Sequence, residues 1–294
     1  MHYAVIGAGY TGRRVLKLLP SKKILALGRT QRPEYPPSTD FVALDLDAIA
    51  DGPIDLPSPC SLLYSVPPRD DEDSRLAGLL ARLVGRLARI VYLSTTGVYG
   101  DRKGALVTER DIPEPVSNRA IRRLTAENML TDWCEARDTA LIVLRVPAIY
   151  GPGRLGLKRI KSGEPVLREA DANPGNRIHV DDLAACCVRA MTTDCPAGVY
   201  NVGDGNHRSG TWFSQTVARL AGLDAQPEIS RQEAQRTFSE GRLSYLSESR
   251  RIDTTRMREL LDFKPQYLDP TDGIRASLAH SCHTPVSGEK PAEQ

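Results

Sequence analysis

Tyr3-Ala4-Val5-Ile6-Gly7-Ala8-Gly9-Tyr10-Thr11-Gly12 opens the chain with a short β-branched run that enters a Gly-x-Gly-x-x-Gly turn. Arg13 to Leu19 leaves the turn with apolar residues at Val15, Leu16, Leu18 and Leu19, a helical spacing, so the stretch reads as strand, tight turn and helix. In such a unit Gly7 allows the turn, Gly9 lets backbone approach a pyrophosphate, and Gly12 lets helix and strand pack closely. The helix N-terminus, with the backbone at Tyr10 and Thr11, then faces the phosphates. A dinucleotide is the ligand that suits this arrangement; an ordinary glycine-marked turn is the alternative.

The following strands extend the pattern. Lys22 and Lys23 lead into Ile24-Leu25-Ala26-Leu27, which ends at Gly28-Arg29-Thr30. An NAD site carries Asp or Glu about 20 residues beyond the glycine turn, whereas this chain offers Arg29 and then Arg32. A carboxylate repels a 2′-phosphate and a guanidinium grips it bidentately, so the residues favour NADP over NAD, with a solvated loop arginine as the alternative role for Arg29. A third strand, Phe41-Val42-Ala43-Leu44, delivers Asp45 and Leu46, where a carboxylate can reach an adenine amino group. A fourth, Leu62-Leu63-Tyr64-Ser65-Val66, stops at Pro67-Pro68 and brings Ser65 and Val66 to the same cofactor edge.

Leu76, Leu79, Leu80, Leu83, Val84 and Leu87 predict an amphipathic helix, capped by the acidic run Asp70-Asp71-Glu72-Asp73. Strand five, Ile90-Val91-Tyr92-Leu93, runs into Ser94-Thr95-Thr96-Gly97-Val98-Tyr99-Gly100, a hydroxyl cluster where α/β sheets place their ligands and chemistry. A helix over 118–134 and a sixth strand over 141–144 follow. This alternation specifies an α/β fold with a doubly wound parallel sheet of the Rossmann type. Beyond Val146-Pro147, glycines at 151, 153, 156 and 163 mark a loop-rich insertion, and a helix over 183–191 with Val199-Tyr200-Asn201-Val202 returns to the sheet. Helices are expected over 211–221, over 230–238 with Ser230 and Glu233 in capping-box spacing, and from Thr271. The expected division is an NAD(P)-binding domain over 1–150, a mixed region over 151–280 that returns sheet elements and forms a small substrate-binding lobe, and a disordered tail over 284–294.

Lysine and arginine number 39 against 37 acids in 294 residues, a net charge of +2 that gives no case for nucleic acid or a membrane surface as partner. A small-molecule substrate is expected instead. No apolar run approaches the roughly 18 residues that span a bilayer, and the first strand begins at residue 3, so a cytoplasmic location without a signal peptide is expected. The six cysteines include no Cys-x-x-Cys and read as buried free thiols. No metal site is expected, the His280-Ser281-Cys282-His283 cluster lying in a polar tail without a partner motif.

Taken in order, these stretches resemble the extended short-chain dehydrogenase/reductases, the NAD-dependent epimerase/dehydratase group, from residue 3 to about residue 280. The glycine turn, Asp45-Leu46 and Ser94 through Gly100 carry the resemblance, with Thr108-Glu109 through Pro113 and Pro115. Leu144-Arg145-Val146-Pro147-Ala148-Ile149-Tyr150-Gly151-Pro152-Gly153, His179-Val180-Asp181-Asp182-Leu183-Ala184, Val199 through Gly203 and Phe263-Lys264-Pro265 continue it. Most extended members have Gly-x-x-Gly-x-x-Gly, so the shorter turn marks an atypical subgroup.

The resemblance implies a Ser or Thr after strand five and a Tyr-x-x-x-Lys on the next helix. Thr95 takes the first position, Arg123 falls on the lysine and Arg119 on the tyrosine. Arginine can hold the nicotinamide ribose but cannot shuttle a proton near neutral pH. Tyr99, Tyr150 and Glu114 are the candidate replacements for the missing acid, Tyr99 standing with Thr95 and Arg123 in the expected catalytic set. His179 is expected to close a structural hydrogen bond. Arg119, Arg122 and Arg123 either bind a substrate phosphate or pair with Glu127 and surface acids. Related enzymes often dimerise through the helices after strands four and five, so a homodimer is compatible. Two functions fit: an NAD(P)-dependent oxidoreductase, epimerase or dehydratase acting on a small hydroxyl or carbonyl compound such as a nucleotide sugar, or a non-catalytic NADP-binding redox sensor or partner-binding protein.

Overall fold

Strands buried on both faces need apolar residues at nearly every position, and β1 (His2–Ile6), β2 (Ile24–Gly28), β4 (Cys60–Tyr64), β5 (Leu87–Thr95), β6 (Ala140–Val146) and β7 (Gly198–Asn201) are of this kind. With β3 (Thr39–Ala43) at one edge they form a parallel seven-stranded sheet in the order β3-β2-β1-β4-β5-β6-β7. The computed structural model describes residues 1–20, 23–48 and 52–281. Its helices are α1 (Gly12–Leu18), α2 (Ser74–Arg82), α3 (Asn118–Glu135), α4 (Leu157–Lys161), α5 (Val180–Thr192), α6 (Gly210–Leu220), α7 (Arg231–Thr237), α8 (Glu240–Leu246), α9 (Thr255–Glu259) and α10 (Pro270–Ser281).

The two-residue period of the strands sorts the core. Val5, Leu63, Val91 and Leu144 pack with Val15 and Leu16 of α1 and Leu183 and Cys187 of α5. Their neighbours Ile6, Leu62, Ile90 and Val143 face the other way, onto Leu76 and Leu79 of α2 and Ala126 and Leu130 of α3. The result is the helix–sheet–helix layering of a Rossmann-type α/β fold.

One expected helix is shorter than its apolar stripe. The spacing carries it to Leu87, but α2 stops at Arg82, Leu83-Val84 bridges Ile54-Asp55, and Leu87 begins β5. Gly85 decides this: its φ of +95° is closed to helix, and a Cβ there would sit 3.0 Å from the Leu56 carbonyl oxygen. The acidic run does cap α2. Asp73 accepts from the Leu76 amide, and Asp70 accepts from the Ser74 amide and hydroxyl.

The C-terminal half adds α5 and β7 to the sheet and then builds over its carboxyl edge. Tyr150, Leu155, Ile160, Val217 and Ile274 make a separate apolar cluster. Short parallel pairs, Ala148–Tyr150 with Arg177–His179 and Leu106–Val107 with Arg251–Ile252, stitch this region to the sheet side. The capping box at Ser230 and Glu233 is formed. Cys60, Cys134, Cys186, Cys187 and Cys195 are buried and unpaired, and among the described residues no group of three or more His, Cys, Asp or Glu could hold a metal ion. No helix among them is long and apolar enough to cross a membrane. Cys282, His283 and the tail over 284–294 lie outside the described residues.

Candidate active site

Because every strand of the sheet is parallel, the residues after β1, β2, β3, β4 and β5 emerge on one edge. The glycine turn lies at its centre. Gly7 has φ +91° and its missing Cβ makes room for Val66 and Ser65. A Cβ on Gly12 would stand 2.8 Å from the Gly7 carbonyl oxygen and 3.3 Å from Val5. A Cβ on Gly9 would meet nothing nearer than 4.0 Å, so the backbone there is open to an incoming group. Thr11 gives α1 no side-chain cap. A turn with both helix and strand packed tight, open above its middle glycine and uncapped at the helix start, fits the pyrophosphate of a dinucleotide.

Neighbouring side chains are partly committed to the turn itself. The Ser65 hydroxyl donates to the Gly7 carbonyl at 2.7 Å, and the Tyr35 hydroxyl donates to Ala8 at 3.2 Å. Tyr10 reaches out of the turn to donate to the Pro152 carbonyl at 2.9 Å, with Arg154 and Arg14 stacked on its ring, and burial pushes its phenol up to about 12. Arg14 pairs with Asp181 at the start of α5, so the turn is tied to the C-terminal half at two points. Arg29 is exposed at the end of β2. Asp45 is exposed after β3, one carboxylate oxygen accepting the Asp47 amide, while Leu46 packs inward. Asp47 itself grips Arg75 at 2.6 Å and Arg69 at 3.1 Å.

The catalytic candidates separate on burial. Thr95, at the end of β5, is half-buried, and its hydroxyl oxygen accepts the Gly97 amide at 3.1 Å, which leaves its hydrogen to donate to a ligand. Tyr99 does not belong to the reacting set. It is fully buried, its hydroxyl donates to Asn201 at 2.8 Å, and Arg145 lies on its ring. Tyr150 is likewise core, edge-on to His179 and Phe213 with its oxygen against Gly273. Glu114 is an exposed loop carboxylate paired with Arg102 at 3.0 Å. Arg123 turns its guanidinium inward, donating to the Leu93 carbonyl at 2.7 Å and the Tyr92 oxygen at 3.3 Å. The α3 arginines do not converge on one anion: Arg122 pairs with Asp71, and Arg119 lies over the Tyr245 ring at 3.7 Å.

A buried network behind the site escapes sequence reasoning. Glu127 on α3 accepts from Arg145 on β6 at 2.7 Å and from the Ser94 hydroxyl, both members of the ion pair being about 5% exposed. Tyr99 and Asn201 extend it, and Glu109 accepts the Asn201 amide at 2.7 Å. The signal was present in the sequence: a lone arginine at the end of the apolar run Leu141 to Val146 demands a partner.

His179 closes a structural contact, its Nε2 3.1 Å from the Ser277 hydroxyl, and burial holds its pKa down at about 4. Asp204 is equally buried, and burial raises its carboxyl to about 7. Their effects on stability oppose each other. The depressed histidine contributes stability above its unfolded pKa that is lost as pH falls towards 4; the raised carboxyl contributes stability at low pH that is lost as pH rises through 7. Asp204→Asn should therefore melt at a temperature that climbs more steeply between pH 4 and 7 than wild type does. Parallel melting curves across that range would contradict the assignment.

Comparison with known proteins agrees with this construction. Residues 74–203 match the model of the NAD dependent epimerase/dehydratase family. Protein YeeZ of Escherichia coli K12 is 29% identical over 190 residues, 64% of this chain. That match spans 62% of the YeeZ length. A solved structure described as a functionally unknown conserved protein from Silicibacter pomeroyi superposes with a TM-score of 0.77 at 27% identity, covering 95% of this chain and 99% of that one. UDP-glucuronic acid 4-epimerase from Bacillus cereus in complex with NAD shares the fold, with a TM-score of 0.72 at 17% identity over 96% of this chain and 99% of that one.

Proposed function

We propose that the protein is an NAD(P)-dependent enzyme that exchanges hydride with a hydroxyl-bearing carbon of a small polar substrate, a nucleotide sugar being the favoured class. The observation that carries the reading is the open glycine turn at the same sheet edge as the Thr95 hydroxyl. The match of residues 74–203 to the epimerase/dehydratase family model and a similar fold in a UDP-glucuronic acid 4-epimerase in complex with NAD support it. A bound nicotinamide dinucleotide supplies the hydride acceptor and donor. Gly7, Gly9, Thr11 and Gly12 would hold its pyrophosphate, with Ser65 and Val66 fixing the shape of the turn. Thr95 donates its free hydroxyl hydrogen to the substrate oxygen and orients it. We place the substrate lobe within 151–280, closing over this edge, with the cofactor domain before residue 150.

NADP is the preferred form on this reading, because Arg29 and Arg32 stand at the end of β2 in place of a ribose-binding carboxylate. Arg29→Glu should weaken NADPH by roughly 10- to 100-fold, the worth of a charge-assisted contact, and leave NADH little changed. Equal losses for both cofactors in a fluorescence titration would remove the preference for NADP.

The function itself is tested with NADPH and NADH deuterated at the nicotinamide C4, a metabolite extract supplemented with UDP-sugars, and mass spectrometry against a no-protein control. Interconversion of the UDP-sugars is followed in the same samples to register an enzyme that returns its hydride internally. Label in a metabolite, or a new UDP-sugar epimer, is the expected result. Neither, with cofactor bound, would favour the sensor reading.

A further inference from the structure

The glycine turn is touched from the C-terminal half of the chain. Tyr10, between the open Gly9 and the uncapped start of α1, sends its phenol to the turn Gly151-Pro152-Gly153-Arg154. Two features fix that meeting. The Tyr10 hydroxyl donates to the Pro152 carbonyl at 2.9 Å, and a Cβ on Gly151 would stand 2.7 Å from the same hydroxyl. The four residues close on themselves, the Arg154 amide donating to the Gly151 carbonyl at 2.9 Å, and Leu155 is buried directly after them in the apolar cluster around Tyr150. The backbone of Arg154 is therefore fixed beside Tyr10.

Its side chain is not spent on the fixing. Arg14, by contrast, donates to the Tyr10 carbonyl at 2.8 Å and pairs with Asp181 at 2.7 Å. Arg154 is exposed, with its guanidinium carbon 4.0 Å from the Tyr10 ring centre, and among the described residues it makes no ion pair. A ring contact gives none of the five guanidinium N–H donors an acceptor oxygen, so they remain for an anion. A tyrosine ring centre is roughly 4 Å from its own Cα, which puts the Arg154 guanidinium carbon within about 8 Å of the Tyr10 main chain. One side-chain rotation covers what separates it from an anion seated on the turn. Charge points the same way. The groups acting on the Tyr10 phenol are Arg14, Arg154, Arg13 and a single acid, Asp181, which Arg14 already takes. The turn is thus left positive where a diphosphate brings negative charge.

Resting on the proposed function, we infer that Arg154 is a cofactor-binding residue, its guanidinium taking oxygens of the dinucleotide pyrophosphate so that the C-terminal half closes one side of the cofactor site. The contact is with the part of the molecule that NAD and NADP share. Arg154 therefore adds affinity without choosing between them, unlike Arg29. The diphosphate of a nucleotide-sugar substrate has the same chemistry, but the ring that Arg154 covers belongs to the glycine turn itself, which favours the cofactor.

The test is calorimetric titration of the full-length protein with NADPH, NADH, ADP-ribose and UDP-glucose. Arg154→Ala should weaken NADPH, NADH and ADP-ribose by roughly 10- to 100-fold each, with the melting temperature of the unliganded protein unchanged. Arg154→Lys keeps the charge without the fork and should recover part of that affinity. Asp181→Asn breaks the other tie between the turn and the C-terminal half and should not weaken NADPH. Wild-type binding with Arg154→Ala within threefold of it overturns the assignment and leaves the proposed function standing. An equal loss in Asp181→Asn also overturns it, since the tie between the halves would then matter rather than the guanidinium. A loss with UDP-glucose and none with the dinucleotides overturns it in favour of a substrate diphosphate. Absence of NADPH and NADH binding by wild type removes the proposed function, and this assignment with it.

Discussion

Glu127→Ala is expected to destabilise the protein by about 3–5 kcal/mol, because it leaves the Arg145 guanidinium buried without its counter-charge. Glu127 also accepts the Ser94 hydroxyl, so a second buried donor loses its partner. In a chain of this size the loss should appear as a fall in melting temperature on the order of 10 °C. Adding Arg145→Met should restore part of it, since the uncompensated charge is then gone. A single variant that melts within a degree or two of wild type would show that the pair is solvated rather than buried.

Gly12→Val is expected to abolish dinucleotide binding. Its Cβ would enter at 2.8 Å from the Gly7 carbonyl oxygen, a backbone atom that cannot yield as a flexible side chain would, with the Val5 side chain at 3.3 Å beside it. Either α1 moves off β1 or the turn opens, and in both cases the backbone above Gly9 no longer matches a pyrophosphate. The affinity loss should exceed 100-fold in an NADH or NADPH titration, an overpacking cost of about 3 kcal/mol or more falling on the turn. Retained affinity would mean that the cofactor sits elsewhere.

The two variants mark the limits of what the sequence discloses. The glycine turn and the strand–helix rhythm are legible because the backbone needs of Gly7 and Gly12 and the apolar periods are local properties, written within a few residues. The end of α2 is not, since Leu83 and Leu87 continue the helical stripe and only the conformation of Gly85 shows that they serve strands. The Glu127–Arg145 pair joins residues on different elements, whereas the sequence offers Glu127 only the arginines of its own helix. Tyr99 reads as a candidate reacting group because its stretch lies close to the carboxyl edge of the sheet. Its burial depends on Arg145 and Asn201, which arrive from β6 and β7.

The central claim is that the glycine turn holds a nicotinamide dinucleotide, and direct titration of the purified protein with NADPH and NADH tests it first. Saturable binding with one site per chain, tighter for NADPH, is the predicted result. No saturable binding of either dinucleotide would contradict the account, from the role of the turn to the chemistry assigned to Thr95.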